Sequence, residues 1–287
     1  MKRTSMLRSL IQGNDIVVAP GAADALVAKI IERTGFKALY LTGAGVSYTT
    51  LGLSDVGLIN MKEMVVKAEQ ICSAVAIPVI ADGDNGYGNA LNVRRTIHEY
   101  ERAGVAAIQL EDQVFPKKCG HLAGKQLIPK NEMVNKIKAA LDARNDDDFL
   151  IIARTDAKAV DGLDAALDRA IAYQNAGADI IFVEAPESIE EMRLINQKID
   201  SPTMANMVEG GRTPLLSTDE LKSLGYKLVI FPNAALRVAA KALLELMAHI
   251  KNEGTTKNYL QNMLLFEEFN NLIGLKELQE IDKKYSL

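Results

Sequence analysis

Residues 78–112 read PVIADGDNGYGNALNVRRTIHEYERAGVAAIQLED and contain one complete strand–helix–strand unit. Pro78 to Asp82 and Ala106 to Glu111 are short apolar runs, and Leu91 to Ala103 between them repeats its apolar residues at helical spacing. Gly104 stands between the helix and the second strand, where a left-handed cap favours glycine. This arrangement predicts two parallel strands joined by a helix, the repeating unit of α/β proteins.

The alternation of strand and helix repeats along the rest of the chain. Six further strands are predicted at Ile16 to Ala19, Lys37 to Thr42, Phe149 to Arg154, Asp179 to Glu184, Thr203 to Met207 and Lys227 to Phe231. The other helices are predicted at Ala23 to Thr34, Met61 to Val75, Asn131 to Ala143, Leu163 to Asn175, Ile189 to Lys198, Thr218 to Ser223 and Ala235 to Asn252. Gly35, Gly177 and Gly225 occupy the same place after a helix as Gly104.

Eight strand–helix units in about 250 residues match the α/β fold of a (β/α)8 TIM barrel in number and size. An open, doubly wound sheet is the alternative, and Gly43-Ala44-Gly45 after the second strand is its best sign. Tyr48, however, stands where a dinucleotide-binding fingerprint needs its third glycine. We expect residues 1–287 to form a single barrel domain with a helical tail from about residue 255.

The tail from Tyr259 to Leu287 carries Leu and Phe at roughly helical spacing. An apolar stripe needs a surface to cover it, and a neighbouring subunit is as plausible a surface as the chain's own barrel. The tail is therefore predicted to be helical and to contact one of the two.

Composition places the chain among ordinary globular proteins. Of its 287 residues 48% are hydrophobic, and 33 Lys and Arg against 37 Asp and Glu give a net charge of −4. No basic cluster offers the footprint that nucleic acid requires, so nucleic acid is not expected as a partner. The apolar runs fall far short of the ~20 residues that span a bilayer. The amino terminus lacks the apolar core of a secretory signal, and two cysteines cannot form a disulfide framework, so we expect a cytoplasmic protein without a membrane segment.

Polar residues follow several predicted strands, and in a barrel the catalytic groups come from these carboxyl ends. They are Tyr40, Thr42, Asp82, Asp84, Glu111, Arg154, Glu184, Asn206 and Glu209. Asp82, Asp84 and Glu111, from two adjacent strands, would repel one another unless a positive charge lay between them. An all-oxygen ligand set favours Mg²⁺, with Mn²⁺ as a substitute. The alternative is that these carboxylates cap helices or pair with Arg154 and the two arginines that follow the third strand.

The loop after the fourth strand reads Lys117-Lys118-Cys119-Gly120-His121 and holds a thiol, an imidazole and two ammonium groups. Nearby cations favour a thiolate, so Cys119 could exchange a proton near neutral pH. Cys72, in an amphipathic helix, is expected to be an inert buried residue. Zinc binding by Cys119 and His121 is a weaker interpretation, because the chain has only two other histidines.

This loop resembles the signature of the phosphoenolpyruvate mutase/isocitrate lyase superfamily, in its lyase branch. Further resemblance lies, in family order, in Asp82-Gly83-Asp84, Leu110-Glu111-Asp112-Gln113, Ala153-Arg154-Thr155-Asp156-Ala157, Phe182-Val183-Glu184-Ala185 and Ala205-Asn206-Met207. These blocks span nearly the whole chain. The resemblance implies a (β/α)8 barrel whose eighth helix is exchanged between paired subunits of a homotetramer. It also implies Mg²⁺-dependent cleavage of a carbon–carbon bond in a 2-hydroxy di- or tricarboxylate.

The same resemblance implies roles for individual residues. Asp82 would bind Mg²⁺ directly, and Asp55, Asp84 and Glu111 would reach it through water. Cys119 would be the general acid, with Tyr40, Arg154 and His121 as further catalytic residues. The substrate-binding residues would be Thr42, Gly43, Ala44, Lys117, Gly120, Arg154, Glu184, Asn206, Thr213 and Pro232. The base that removes the hydroxyl proton is left open between Tyr40 and a metal-bound water.

The loop after the seventh strand bears on the choice of substrate. Members acting on 2-methylisocitrate usually read Asn-x-Thr-Glu-Phe-Gly there, whereas this chain reads Asn206-Met207-Val208-Glu209-Gly210. Val208 and Gly210 replace a hydroxyl and an aromatic ring, which disfavours recognition of a third carboxylate. The departure resembles the members of the branch that act on 2,3-dimethylmalate, and this resemblance implies cleavage of 2,3-dimethylmalate to propionate and pyruvate.

Other activities stay open on the sequence alone. Cleavage of 2-methylisocitrate to succinate and pyruvate is the first alternative. Oxaloacetate hydrolysis is disfavoured by Pro232, where hydrolysing members tend to have serine. Phosphonopyruvate hydrolase and phosphoenolpyruvate mutase need no thiol acid. A barrel that binds a metabolite without turning it over is the remaining alternative.

Overall fold

The computed structural model describes residues 1–120 and 124–286, and its centre is an eight-stranded parallel sheet. The strands are β1 (Val17–Ala22), β2 (Leu39–Leu41), β3 (Val79–Asp82), β4 (Ala107–Glu111), β5 (Leu150–Thr155), β6 (Ile180–Val183), β7 (Met204–Asn206) and β8 (Leu228–Phe231). Hydrogen-bonded neighbours follow the order β6-β5-β4-β3-β2-β1-β8-β7. A single bridge between Ile181 and Thr203 brings β6 to β7, so the sheet is a nearly closed barrel. The predicted (β/α)8 fold and all eight predicted strands are confirmed.

Strand register decides which polar side chains become neighbours. Glu111 at the end of β4 lies opposite Arg154 in β5, and Asp82 at the end of β3 lies opposite Gln109 in β4. Because the strands are parallel, all these carboxyl ends meet at one rim of the barrel.

The helices are α1 (Arg3–Gln12), α2 (Ala25–Arg33), α3 (Gly43–Leu51), α4 (Met61–Ala74), α5 (Ala90–Arg102), α6 (Lys130–Ala143), α7 (Lys158–Asp161), α8 (Leu163–Asn175), α9 (Ile189–Lys198), α10 (Thr218–Leu224), α11 (Ala234–Glu253), α12 (Phe266–Ile273) and α13 (Leu275–Tyr285). The eight predicted helices correspond to α2, α4, α5, α6, α8, α9, α10 and α11. Gly35, Gly104, Gly177 and Gly225 all have φ between 87° and 102°, as helix caps require.

Three helices were not expected from the sequence: α1, α3 and the short α7. Helix α3 is built from GAGVSYTTL, whose glycines and β-branched residues are poor helix formers. Burial of its first five residues and a cap in which the Thr42 hydroxyl accepts a hydrogen bond from Gly45 N overcome this low propensity.

The core of the barrel is apolar, and α1 closes its amino-terminal end. Leu7 and Ile11 of α1 are buried in the same cluster as Leu150 of β5 and Leu228 of β8. The opposite, carboxyl-terminal end carries the polar residues described below.

The chain divides into two compact units, Met1–Ala234 and Ala235–Leu287. The second unit contains nearly all of α11, a 3₁₀ helix (Lys257–Asn262), α12 and α13, so the predicted helical tail is confirmed. Its apolar side chains are largely exposed, among them Leu243, Leu244 and Met247 of α11. Within the described residues, no helix combines the length and apolar character that crossing a bilayer demands.

Candidate active site

A cleft lies at the carboxyl ends of the strands and encloses about 480 Å³, its solvent-facing mouth included. It is lined by Tyr40, Thr42, Ala44, Asp55, Asp82, Glu111, Lys117, Lys118, Cys119, Gly120, Arg154, Glu184, Asn206, Val208, Ile230, Pro232 and Asn233. The structure thus brings together most of the residues singled out in the sequence. Gly43 and Asp84 stand just behind the wall, Thr213 is buried but does not line the cleft, and His121 lies outside the described residues.

One wall of the cleft is acidic, and Asp82 lies at its centre. Its Oδ1 accepts hydrogen bonds from Asp84 N (3.1 Å) and from Nε2 of Gln109 (3.4 Å). Its Oδ2 borders Gly43, where an added Cβ would come within 2.7 Å of that oxygen. Glycine at position 43 therefore leaves room beside the Asp82 carboxylate.

Lys117 supplies one positive charge to this wall. Its Nζ lies 2.8 Å from Oδ2 of Asp55 and 2.8 Å from Oδ1 of Asp84, and all three side chains are buried. Burial by itself lowers the pKa of Lys117, but the carboxylates of Asp84 and Asp82 outweigh it and hold the pKa well above its ordinary value. The lysine is thus a permanent cation that joins its own loop to the loops carrying Asp55 and Asp84.

The acidic wall is still short of positive charge. Among the described residues, five buried carboxylates (Asp55, Asp82, Asp84, Glu111 and Glu184) face the buried cations Lys117 and Arg154. Burial raises the pKa of Asp84 to about 6, although Lys117 opposes the shift. Burial also raises the pKa of Glu111 well above its ordinary value, against the opposing charges of Arg154 and Lys117. Glu111 Oε1 is buried and makes no hydrogen bond. Both observations indicate that the wall would accept a further cation.

The donors present fit a hard divalent cation. They are all oxygens, as Mg²⁺ and Mn²⁺ prefer, and Glu111 Oε1 is free to accept a water or an ion. Over residues 1–120 and 124–286, no three Asp, Glu, His or Cys side chains converge closely enough to bind one ion directly. Mg²⁺ does not require three, because it usually keeps several waters and uses one or two carboxylates.

Arg154 faces the acidic wall from β5. Its Nε and Nη2 donate to the two oxygens of Asp156 at 2.9 and 3.0 Å, which leaves Nη1 3.5 Å from Glu111 and 3.6 Å from Glu184. Two parallel hydrogen bonds fix the plane of the guanidinium, so its outer edge is presented to the cleft. Asp156 in turn accepts from Nζ of Lys125 at 2.9 Å.

The loop with Cys119 covers the cleft from one side and is held by its backbone. Gln113 clamps Lys118, accepting from its N–H (3.0 Å) and donating to its carbonyl (2.9 Å). Cys119 N donates to the carbonyl of Asp55 at 3.3 Å, and the thiol itself is half-buried. At Gly120 an added Cβ would clash with Arg154 and lie 2.7 Å from Cγ of Glu184, so the loop backbone packs directly on these side chains.

Two further polar groups face the interior of the cleft. The Tyr40 hydroxyl donates to Oε1 of Gln109 (3.0 Å), and burial together with Asp82 raises the pKa of Tyr40 well above its ordinary value. Asn206 donates from Nδ2 to both oxygens of Glu184 at 3.2 and 3.3 Å, while its Oδ1 is buried without a hydrogen bond. Asn206 therefore offers an acceptor for a hydroxyl group.

The remaining wall is apolar and is formed by Ala44, Val208, Ile230 and Pro232. Arg212, which follows Val208 in the same loop, does not line the cleft. Its Nη1 lies 3.2 Å from Glu187, whose other oxygen lies 2.6 Å from Lys158. Val208 thus faces the cleft while the nearest cation of its loop is engaged elsewhere.

Three buried residues hold the site together although the sequence suggested no role for them: Gln109, Lys125 and Asp156. Gln109 stands two residues before Glu111 on β4, and Asp156 two residues after Arg154, so strand periodicity could have placed each pair on one face. A role for Lys125 in the site could not be inferred from the sequence, because a lysine in a polar loop resembles any exposed lysine.

Similarity to known proteins extends over the whole chain. A family model described as phosphoenolpyruvate phosphomutase matches residues 7–251. A 2,3-dimethylmalate lyase of Eubacterium barkeri is 54% identical over 286 residues, covering 100% of this chain and 99% of that protein. A 2-methylisocitrate lyase of Aeropyrum pernix is 47% identical over 281 residues, covering 98% of this chain and 90% of that protein.

Solved structures agree with these sequence relatives. A crystal structure of a 2,3-dimethylmalate lyase matches with a TM-score of 0.94 at 38% identity, covering 100% of this chain and 96% of the other. A phosphonopyruvate hydrolase solved in complex with oxalate and Mg²⁺ matches with a TM-score of 0.90 at 31% identity, covering 99% of each chain. Both the fold and the length of the chain are therefore shared with enzymes that act on small organic acids.

Proposed function

The chain belongs to the phosphoenolpyruvate mutase/isocitrate lyase superfamily and is a carbon–carbon lyase, and from this premise we propose that it cleaves 2,3-dimethylmalate to propionate and pyruvate. The observation that carries the choice of substrate is the wall formed by Ala44, Val208, Ile230 and Pro232 opposite the acidic wall. An apolar wall accommodates methyl substituents, and the polar side of the cleft offers Arg154 and Asn206 to carboxylate and hydroxyl oxygens.

The reaction removes one proton from the C2 hydroxyl group and adds one proton to C3. Loss of the C2 hydroxyl proton lets the oxygen electrons form the carbonyl of pyruvate while the C2–C3 bond breaks, and the electron pair of that bond remains on C3 until that carbon is protonated. The fragments are pyruvate and propionate, and no oxidant or second substrate is needed. We assign the protonation of C3 to Cys119, which lines the cleft together with Lys117 and Lys118.

We propose that Asp82 binds Mg²⁺ directly and that Asp55, Asp84 and Glu111 hold its water ligands. When bound, Mg²⁺ supplies electrophilic stabilisation of the negative charge that develops on the 2-hydroxy acid, which is typically worth several kcal/mol. Arg154, on the strand beside the one that carries Glu111, adds a positive charge, and its two hydrogen bonds to Asp156 hold its guanidinium in one plane.

Tyr40 is better suited to accept a hydrogen bond from the substrate hydroxyl than to remove its proton. Its raised pKa keeps the hydroxyl protonated, and that hydroxyl already donates to Gln109. We propose that Tyr40 orients the substrate and that a water molecule in the cleft takes up the hydroxyl proton.

A panel of substrates tests the proposed function. Purified protein with Mg²⁺ is offered 2,3-dimethylmalate, 2-methylisocitrate, isocitrate, 2-methylmalate and oxaloacetate, and α-keto acid release is followed. Turnover is expected with 2,3-dimethylmalate. Turnover of none of the five acids would contradict the assignment.

Selectivity between the two related substrates is the sharper prediction. Because Val208 gives no hydrogen bond to a third carboxylate, 2,3-dimethylmalate is expected to have a kcat/KM at least ~10-fold above that of 2-methylisocitrate, or ~1.4 kcal/mol. The alternative substrate gains support from the 47% identical relative and from Arg212, which is in the same loop. Arg212→Ala is the control: a preference for 2-methylisocitrate that disappears in this variant would reverse the assignment.

We propose that the chain forms a homotetramer in which paired subunits exchange α11. The exposed apolar side chains of this helix support the proposal, because patches of this kind mark subunit interfaces. Leu243→Glu is expected to shift the assembly to smaller species in light scattering after gel filtration. Lys241→Glu places the same charge at a highly exposed lysine of the same helix and is expected to leave the assembly unchanged. A monomeric wild-type protein would contradict the proposal.

The state of the two cysteines bears on the cellular compartment. Neither Cys72 nor Cys119 forms a disulfide, which suits a reducing compartment, and we propose the cytoplasm.

A further inference from the structure

Lys125 is a buried lysine that the reaction as described does not use. Its side chain is 1% exposed and its partner Asp156 is completely buried. Burial of an ammonium group costs free energy unless the group is paired with an anion and its N–H groups donate hydrogen bonds. The burial of Lys125 therefore calls for an explanation. Its contacts supply one.

Two of the protons on Nζ of Lys125 have acceptors that belong to different parts of the site. One is the carbonyl of Gly120, which immediately follows Cys119 in the chain. The other is Oδ1 of Asp156 at 2.9 Å, the same oxygen that accepts from Nη2 of Arg154. The ammonium therefore bridges the backbone of the Cys119 loop and the carboxylate that orients Arg154.

The packing of Gly120 shows how this bridge fixes the distance between the Cys119 loop and Arg154. The glycine backbone lies against Arg154 and Glu184, with no room for a Cβ. The hydrogen bond from Lys125 to the carbonyl of Gly120 therefore keeps the loop in contact with the guanidinium of Arg154. The proton donor and the anion-binding arginine are then held together by one side chain.

We propose that Lys125 is a positioning residue that keeps Cys119 at the reacting carbon by fastening Gly120 to the Asp156–Arg154 pair. The proposal rests on the proposed function in that it takes Cys119 as the proton donor. The proposal thus adds a residue that lies outside the proposed substrate and metal contacts and that determines the position of the Cys119 thiol.

The test is the rate at which iodoacetamide modifies Cys119, measured by peptide mass spectrometry without any substrate. At about pH 9 an ordinary thiol is largely ionised, so the rate reports access to the thiol. Lys125→Met removes both hydrogen bonds, and since each involves a charged group, Cys119 is expected to react about 10-fold faster or more through opening of the loop. Cys72, buried in α4, is the internal control and is expected to stay slow.

Turnover gives the second measurement. In Lys125→Met, kcat is expected to fall by about 10-fold or more, with a smaller change in KM, because a misplaced acid affects the chemical step more than binding. Lys130→Met removes a partly exposed lysine, paired with Asp168, and is expected to match the wild type in both measurements. Lys125→Gln, which keeps a hydrogen-bond donor, is expected to lie between Lys125→Met and the wild type, and it replaces Lys125→Met if that variant does not fold.

Two results would overturn the proposal. One is an unchanged rate of Cys119 modification in the folded variants. The other is a parallel acceleration of Cys72, which would mean that the whole barrel had loosened. Failure of the proposed function looks different: the wild type would turn over none of the five acids, while Cys119 and Cys72 would still respond to Lys125→Met as described.

Discussion

Excess EDTA is expected to abolish turnover, and added Mg²⁺ or Mn²⁺ to restore it. The acidic wall holds more buried carboxylates than cations, and the proposed ion would both balance this charge and stabilise the reacting acid. Loss of that ion removes several kcal/mol of transition-state stabilisation, and the rate should fall by ~100-fold or more.

Asp82→Ala is the matching variant, because it deletes the carboxylate proposed to bind the ion directly. Binding of Mn²⁺, measured by electron paramagnetic resonance without substrate, is expected to be far weaker in Asp82→Ala than in the wild type. Asp168→Ala removes an exposed aspartate and serves as the control. Full activity in excess EDTA, or unchanged Mn²⁺ binding in Asp82→Ala, would reject the metal assignment.

Cys119→Ser is expected to lower kcat by ~100-fold or more with little change in KM. Loss of a positioned general acid has an effect of this size, and serine is too weak an acid to replace the thiol. The measurement is steady-state release of pyruvate from 2,3-dimethylmalate.

Cys72→Ser is the control for the loss of a thiol. Cys72 lies in α4, away from the cleft, where burial raises the pKa of its thiol to about 11. This variant is expected to keep the wild-type rate at temperatures where it is folded. Equal activity of the two serine variants would show that Cys119 is not the acid.

The barrel was predictable from the sequence because five of its strands, β2 to β6, are buried on both faces. Strands such as Val79–Asp82 and Leu150–Thr155 are largely apolar runs followed by glycine or polar residues. This pattern can be recognised without knowing which strands pair in the sheet. Helix α1 was missed for the opposite reason. Only Leu7 and Ile11 of its ten residues are buried, so its helical pattern is short and its place at the end of the barrel comes from tertiary packing.

The site was predictable where it consists of polar residues at strand ends. Asp82, Glu111 and Arg154 could be found because the carboxyl ends of parallel strands meet at one rim. Charge pairing could not be predicted, since the position of Lys117 between Asp55 and Asp84 depends on how three loops fold against one another. The sequence analysis predicted a divalent cation among these carboxylates, and the structure shows that the Lys117 ammonium supplies positive charge there as well.

The amino-terminal helix has a consequence for the order in which the chain can acquire its structure during synthesis. Leu7 packs in one cluster with Leu228, and Arg8 pairs with Asp179, 171 residues further along the chain. Strand β1 likewise pairs with β8. Helix α1 and strand β1 therefore cannot complete their native contacts until almost the entire barrel sequence has been synthesised. Until then the apolar residues of α1 stay exposed to solvent, as is usual for folds dominated by contacts between distant parts of the chain.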